Sequence, residues 1–408
     1  MGHKWKLAVC CFVVLSVVAT LCLGCAEEKE VEEGKVIVIG QVNDLSGPAS
    51  SALRWVTVSV EDMVKHINEE DPIEGVTLKS IKYDCKYDPA RDLIGYEWCK
   101  ERGADIIIAP ITGTAQALKP FAAEDEIPVF CSSPNLAVTD PPGWVFSSIP
   151  LTGMATKSLL EWVAEQPGYD QKPKLATVSW ADPAQLERVR GAEEYCEDNP
   201  DEYEYIASAI APRGAMTWTG EIEKVKGADL IHVACSGPAA ATFIGEFRAK
   251  GYTQKIISTY EMWAFQKLIE DKVGDMELLD GSWMVSPVGW WGDDATIWQE
   301  TEDQFYTYWP DDAADVIAGW GTAYMNAWVN VILEDILRQT VEEVGPENFT
   351  GQAFYDVATS WSKTYQGFEP WTFADGKRYC IRDVKMYEYD ADLGTVVPLT
   401  GWLPVIED

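Results

Sequence analysis

Apolar positions along the chain alternate between two rhythms. KVIVIGQV, from Lys35, is a nearly unbroken apolar run of strand length, and ALRWVTVSVEDMVKHINEE, from Ala52, spaces its apolar residues as a helix does. The alternation continues through VTLKSIKYD (strand), ARDLIGYEWCKERG (helix, ended by Gly103), ADIIIAP (strand), TAQALKPFAAEDE (helix) and IPVFCSS (strand), with Gly75 and TDPPGW as punctuation. The pattern then restarts. A helix opens at Pro150-Leu151-Thr152-Gly153, with Thr152 as its N-cap, and runs through SLLEWVAEQ. KLATVSW, YEYIASAI, ADLIHVAC and QKIISTY read as strands, and QLERVRGAEEYCED and AATFIGEFRAKG as helices. After Gly281 come SWMVSPVGWW, one long helix AGWGTAYMNAWVNVILEDILRQTV, a second helix GQAFYDVATSW, and two β-runs joined by a turn in RYCIRDVKMYEYDADLGTVVPLTGWLP. Strands separated by helices predict parallel sheets with right-handed crossovers. The fold class expected is α/β: two doubly wound parallel-sheet lobes with the chain returning between them. The cleft of such lobes lies outside the carboxyl ends of the strands.

The first residues stand apart. His3, Lys4 and Lys6 precede the apolar run LAVCCFVVLSVVATLCLG, and Cys25 follows. A short basic start, an apolar stretch and a small residue before the cut form an export signal. Cys22-Leu23-Gly24-Cys25 resembles a bacterial lipoprotein box, which implies signal removal after residue 24 and lipidation of Cys25, although Cys22 stands where Leu is usual. A plain transmembrane anchor is the competing reading of this stretch, which is about the minimum spanning length. AEEKEVEEG behind Cys25 reads as an acidic tether over 25–35. The 408 residues carry a net charge of −34, and loss of Lys4 and Lys6 with the signal makes the mature chain more negative still. That balance argues against nucleic acid and anionic membrane surfaces as partners. It leaves the nature of a small ligand open. Six cysteines remain beyond the signal and anchor, Cys85, Cys99, Cys131, Cys196, Cys235 and Cys380, widely spaced and without a CxxC pair. No zinc site is expected. Export permits disulfides, but their pairing cannot be read from spacing.

Motifs for catalysis are missing. There is no GxSxG, GxxxxGK[ST], HExxH, or GxGxxG after the first strand, and only His66 and His232 remain in the mature chain. No cofactor, metal or enzyme activity is expected. The strand ends carry small polar residues instead. Pro110-Ile111-Thr112-Gly113-Thr114 and Cys131-Ser132-Ser133-Pro134-Asn135 offer hydroxyls and free N–H groups at one sheet edge, which suits a carboxylate or amide oxygen. Each of these residues, taken singly, is equally readable as an N-cap or turn residue. In the second half KLATVSW ends at Trp180 and QKIISTY runs into Tyr260-Glu261-Met262-Trp263, a carboxylate among rings that suits a cation. With 18 Trp in the chain, packing is the competing role for any one of them. The turn Asn43-Asp44-Leu45-Ser46-Gly47-Pro48 leads into the first helix and reads as the rim of the cleft, with Ser51 and Ala52 beside the ligand and Ser46 farther off.

VIVIGQVNDLSGPAS and IIIAPITGTAQALKPFAAEDEIPVFCSSPN, together with YDCKYDPARDL, FRAKGYTQKIISTY and GTAYMNAW, resemble the solute-binding proteins of branched-chain-amino-acid-type ABC transporters. The resemblance implies a two-lobed periplasmic-binding fold of type I with three hinge crossovers. Lobe one would span 36–152 plus 285–377, and lobe two 153–284 plus 378–408. A small ligand would be bound between the lobes by a monomer and handed to a membrane permease. By the same resemblance Thr112, Ser133 and Asn135 fall on the site for a ligand carboxylate. Glu261, or Tyr260 one residue earlier, falls on the acid that takes an ammonium. The family's Tyr-Gly is Ala184-Gln185 here, and a second pocket tyrosine is Ser236, with Trp180 available to fill the space. These departures turn the expectation away from leucine, isoleucine or valine and toward another amino acid, an aromatic acid, or an amide or urea. The competing functions are the binding half of a two-chain sensor, which a gene neighbourhood without permease genes would favour, and a hydrolase on the same scaffold, which would turn its ligand over.

Overall fold

The computed structural model describes residues 34–407 except 170, 294–295, 325–328, 366–367 and 369. The export signal (1–24), Cys25 and the tether as far as residue 33 lie outside the described residues. No helix among the described residues is long and apolar enough to cross a membrane.

The first sheet is built from β1 (Lys35–Asn43), β2 (Val76–Asp84), β3 (Ile106–Ile108), β4 (Val129–Cys131) and β5 (Val145–Ser147), in the order β2-β1-β3-β4-β5. All of its pairings are parallel. Helices α1 (Ser50–Glu69), α2 (Asp92–Lys100), α3 (Thr112–Asp125) and the single turn α4 (Leu136–Thr139) connect them. β1 is buried from Ile37 to Asn43, both faces alike, as expected of a central parallel strand. Each such apolar side chain taken from water contributes about 1.5–3 kcal/mol.

The second sheet begins after α5 (Thr152–Ala164). It contains β6 (Lys174–Trp180), β7 (Glu204–Ala211), β8 (Leu230–Val233), β9 (Lys255–Thr259) and β10 (Trp283–Ser286), and its helices are α6 (Pro183–Asp198), α7 (Thr219–Val225), α8 (Gly237–Ala249), α9 (Tyr260–Trp263) and α10 (Gln266–Val273). The chain then leaves for α11 (Thr296–Tyr308), α12 (Ala313–Trp320), α13 (Val329–Val344), α14 (Gly351–Ser360) and a short ribbon, β11 (Ser362–Lys363) with β12 (Trp371–Thr372). It returns as β13 (Asp383–Asp390), β14 (Thr395–Pro398) and β15 (Leu403–Pro404). The order is β14-β13-β10-β9-β8-β6-β7, with β15 on β13. The core of this sheet is parallel, and β13 and β14 close one side antiparallel. The α/β expectation therefore holds, with an antiparallel margin added by the chain's end. The lobe boundary expected between 284 and 285 falls inside β10.

The chain passes between the sheets three times: after β5, after β10, and on its way into β13. Two passes run side by side. Ser147 N–H donates to Arg378 O at 2.7 Å, and Ile381 N–H donates to Ser148 O at 2.9 Å. Both sheets lie in one compact unit, Lys35–Asp408.

Several local expectations need correction. Thr152 is the first helical residue of α5, not its cap; Leu151 occupies the cap position and the Thr152 hydroxyl donates to Ala184 O. The expected long helix is not continuous: α12 stops at Gly321, whose φ of 47° leaves the helical region and whose Cα approaches so closely that a Cβ would lie 2.7 Å from Trp263 O. The stretch GTAYMNAW continues into 325–328, outside the described residues. β5, α7 and α11 were not expected from the pattern. The six cysteines are all buried free thiols. Burial pushes Cys85, Cys99, Cys131, Cys196 and Cys235 up to about 12.

Candidate functional site

A cavity of about 100 Å³ lies where the carboxyl ends of both sheets face each other. From the first sheet it is lined by Ala49, Ala52, Leu53 and Val56 after β1, Tyr87 after β2, Pro110 to Thr112 after β3, and Ser132 and Ser133 after β4. From the second sheet come Asp182, Ala184, Gln185 and Arg188 after β6, Ser236 after β8, and Tyr260, Glu261, Ala264 and Phe265 after β9. A wider depression of about 480 Å³ lies between α1, α11 and α13, away from the strand ends; three of the acids that line it, Glu70, Glu334 and Asp335, already pair with His66, Arg338 and Lys363. The strand-end cavity is the candidate site.

On the first-sheet side the loop after β1 is organised by Asp44, which is buried and accepts from the N–H groups of Gly47 and Ala49. Ser46 is exposed and donates to Asp84. The polar residues of that turn thus satisfy the turn itself, and its contribution to the cavity is the apolar face of α1. Thr112, 2% exposed, opens α3, and its hydroxyl donates to Ser133 O, tying the β3 and β4 strand ends together. The cap position of α3, Ile111, supplies no side-chain cap, and both Ile111 and Thr112, the first residue of this 14-residue helix, line the cavity.

On the second-sheet side Asp182 caps α6 through Ala184 N–H, with Pro183 at the first helical position. One turn on, Arg188 turns inward and is 2% exposed. Its Nη1 donates to Ala234 O at 2.8 Å and its Nη2 to Glu261 Oε1 at 2.5 Å. α6 is held at this height by a glycine contact with α5: a Cβ on Gly191 would lie 2.3 Å from Gly153 O.

Several hydrogen bonds cross the cleft, Leu136 N–H to Glu187 Oε2 at 3.4 Å among them. Ser133 Oγ donates to Glu261 Oε1 at 3.3 Å, Tyr87 OH donates to Asp182 Oδ2 at 3.1 Å, and Arg213 Nη2 donates to Tyr87 O at 2.7 Å. The Arg213 guanidinium also covers the Tyr87 ring at 4.4 Å. Burial first, and the Asp182 charge second, hold the Tyr87 phenol well above its ordinary pKa; burial and then Glu261 do the same for Tyr260. Both therefore stand as neutral donors. Among the described residues no group of three or more His, Cys, Asp or Glu gathers to hold a metal ion.

The structure brings Thr112, Ser133, Ala52, Ser236, Tyr260 and Glu261 to one cavity. Asn135, Trp180 and Ser51 are not among its lining residues. Asn135 caps α4, accepting from Val138 N–H at 3.0 Å. Trp180 is half-buried at the end of β6, its backbone N–H on Gln185 Oε1. Sequence reasoning missed Arg188, Asp182 and Tyr87. Arg188 had one signal: it precedes Gly191 by three residues, on the side of α6 that faces a neighbouring element.

No curated protein sequence matches the chain. Solved structures do. A branched-chain amino acid ABC transporter protein from Thermus thermophilus with bound valine is 17% identical, with a TM-score of 0.78 over 91% of this chain and 97% of that one. A fatty acid ABC transporter substrate-binding protein from Thermomonospora curvata is 15% identical, with a TM-score of 0.74 over 91% and 92%. A solute-binding protein of an ABC transporter from R. palustris in complex with benzoate is 16% identical, with a TM-score of 0.72 over 91% and 98%. At these identities the likeness is one of fold. The sequence profile of periplasmic binding proteins matches residues 36–393, nearly the whole described chain. With two sheets facing one cavity across their strand ends, the chain belongs to the periplasmic binding protein family.

Proposed function

We propose that this protein captures a small polar ligand between two lobes and delivers it to an ABC importer, without catalysis. The lobes are 36–152 plus 285–377 and 153–284 plus 378–408, built around the first and second sheet, with the 284/285 boundary inside β10. The observation that carries the reading is the cavity itself: it draws side chains from the carboxyl ends of both sheets and is bridged by hydrogen bonds that only a closed cleft allows. The uncapped first turn of α3 beside Ser133 suits a carboxylate or amide oxygen. The opposite wall, with Arg188, Glu261 and Tyr260, suits the ligand's other polar end. The similar proteins with valine and benzoate bound make an amino acid, a related carboxylate or amide, or an aromatic acid the ligand class to test. Export by the 1–24 signal, anchoring through Cys25 on the 25–35 tether, and action as a monomer beside its permease complete the proposal.

The test is a thermal-shift screen of residues 26–408 against amino acids, amides, urea and small aromatic acids. A ligand bound at 100 times its Kd stabilises the folded state by about 2.7 kcal/mol. A shift with one chemical class, returned unchanged after dialysis, supports capture. No shift with any class removes these ligands, and turnover of a ligand overturns the non-catalytic reading.

A further inference from the structure

Among the described residues that line the cavity, Arg188 is the one cation. It holds Glu261 through Oε1 alone. The other carboxylate oxygen, Oε2, is buried and has no hydrogen-bond partner among the described residues. Glu261 is thus already balanced in charge but still open as an acceptor. Two kinds of ligand group can fill Oε2. An ammonium is attracted by Glu261 but stands beside the Arg188 guanidinium, and that repulsion offsets much of the attraction. An uncharged O–H or N–H gives Oε2 its donor without meeting like charge, and it leaves the buried ion pair intact.

We propose that Arg188 sets the charge class of the ligand: by holding Glu261 in an ion pair inside the cleft, it makes the site select a carboxylate whose neighbouring donor is an uncharged hydroxyl or amide N–H over the matching α-amino acid. This rests on the capture reading above and sharpens it. Glu261 then serves as a hydrogen-bond acceptor in this chain, and the ammonium role implied by the family resemblance falls away.

The experiment uses matched pairs that differ only at the α-substituent: leucine with 2-hydroxy-4-methylpentanoate, phenylalanine with 3-phenyllactate, and alanine with lactate, titrated calorimetrically into residues 26–408. The hydroxy acid is expected to bind about 10-fold more tightly or better in the pairs that bind. Arg188→Gln, which leaves Glu261 uncompensated, is expected to move the ratio at least about 10-fold toward the amino acid, and Arg188→Lys, which keeps the charge, to preserve the wild-type order. Should Arg188→Gln fail to fold, the wild-type ratio and the Lys variant decide. Equal or tighter binding of the amino acids, or a ratio that Arg188→Gln leaves unchanged, overturns the inference and leaves capture standing. Binding of neither member of any pair overturns the carboxylate site, and the inference with it.

Discussion

Thr112 shows how a residue's chemistry can be legible while its partner is not. A hydroxyl at the end of β3 was expected to meet a ligand; in the structure it donates to the Ser133 carbonyl and so positions the neighbouring strand end. Thr112→Ala is expected to lower unfolding free energy in urea by about 1–3 kcal/mol through that abandoned acceptor, with Thr112→Ser close to wild type. Asn135 is a similar case, since the N-cap role and the ligand role call for the same residue types. The pairing of Arg188 with Glu261 lies 73 positions apart in the chain, beyond the reach of any local pattern. His232 sits fully buried in β8, 3.3 Å from Thr177 Oγ1, with the Arg188 charge nearby. Burial, and then Arg188, bring its pKa from 6.5 down to about 3. The unfolded chain therefore takes up a proton below about pH 6.5 that the folded chain refuses, and stability falls as pH drops from there toward 3. Urea titrations between pH 6.5 and 5 are expected to show a loss approaching about 1.4 kcal/mol per pH unit that His232→Gln lacks.

At the scale of elements, the order of strands and helices was readable wherever elements were long and their period clear, as in β1, α1, β6 and α6. β5 is three residues behind a proline-rich turn, and α7 is seven residues, so neither holds enough periods to declare itself. The break at Gly321 is set by the approach of Trp263 from another element, which local propensity cannot report. The contact between Gly153 and Gly191 has the opposite character: both glycines are plain in the sequence, but only the packing of α5 on α6 gives them a purpose. Gly191→Ala is expected to force the helices apart, cost about 1–3 kcal/mol, and displace Arg188 from Glu261. Thermal unfolding measures the first effect, and weakened ligand binding in calorimetry the second.

For the whole molecule, the acidic surface is the property that composition states outright. With a formal charge of −34, self-repulsion opposes the compact state and salt relieves it. The melting temperature is expected to rise between 10 mM and 1 M NaCl, and a flat or falling curve would show that the charges are already compensated locally. The two sheets and their facing strand ends followed from alternation alone, whereas the antiparallel margin of the second sheet is made by residues remote from the strands they join. That margin bears on how the protein comes into being. β10 has one side covered by β13, and the pass after β5 is bonded to residues 378, 380 and 381. A chain that emerges from its amino end has its first sheet complete long before those residues arrive. Until they do, β10 is an open edge and only two of the three passes between the sheets are in place. The last residues of this chain to arrive are thus the ones that seal the second sheet and complete the third pass.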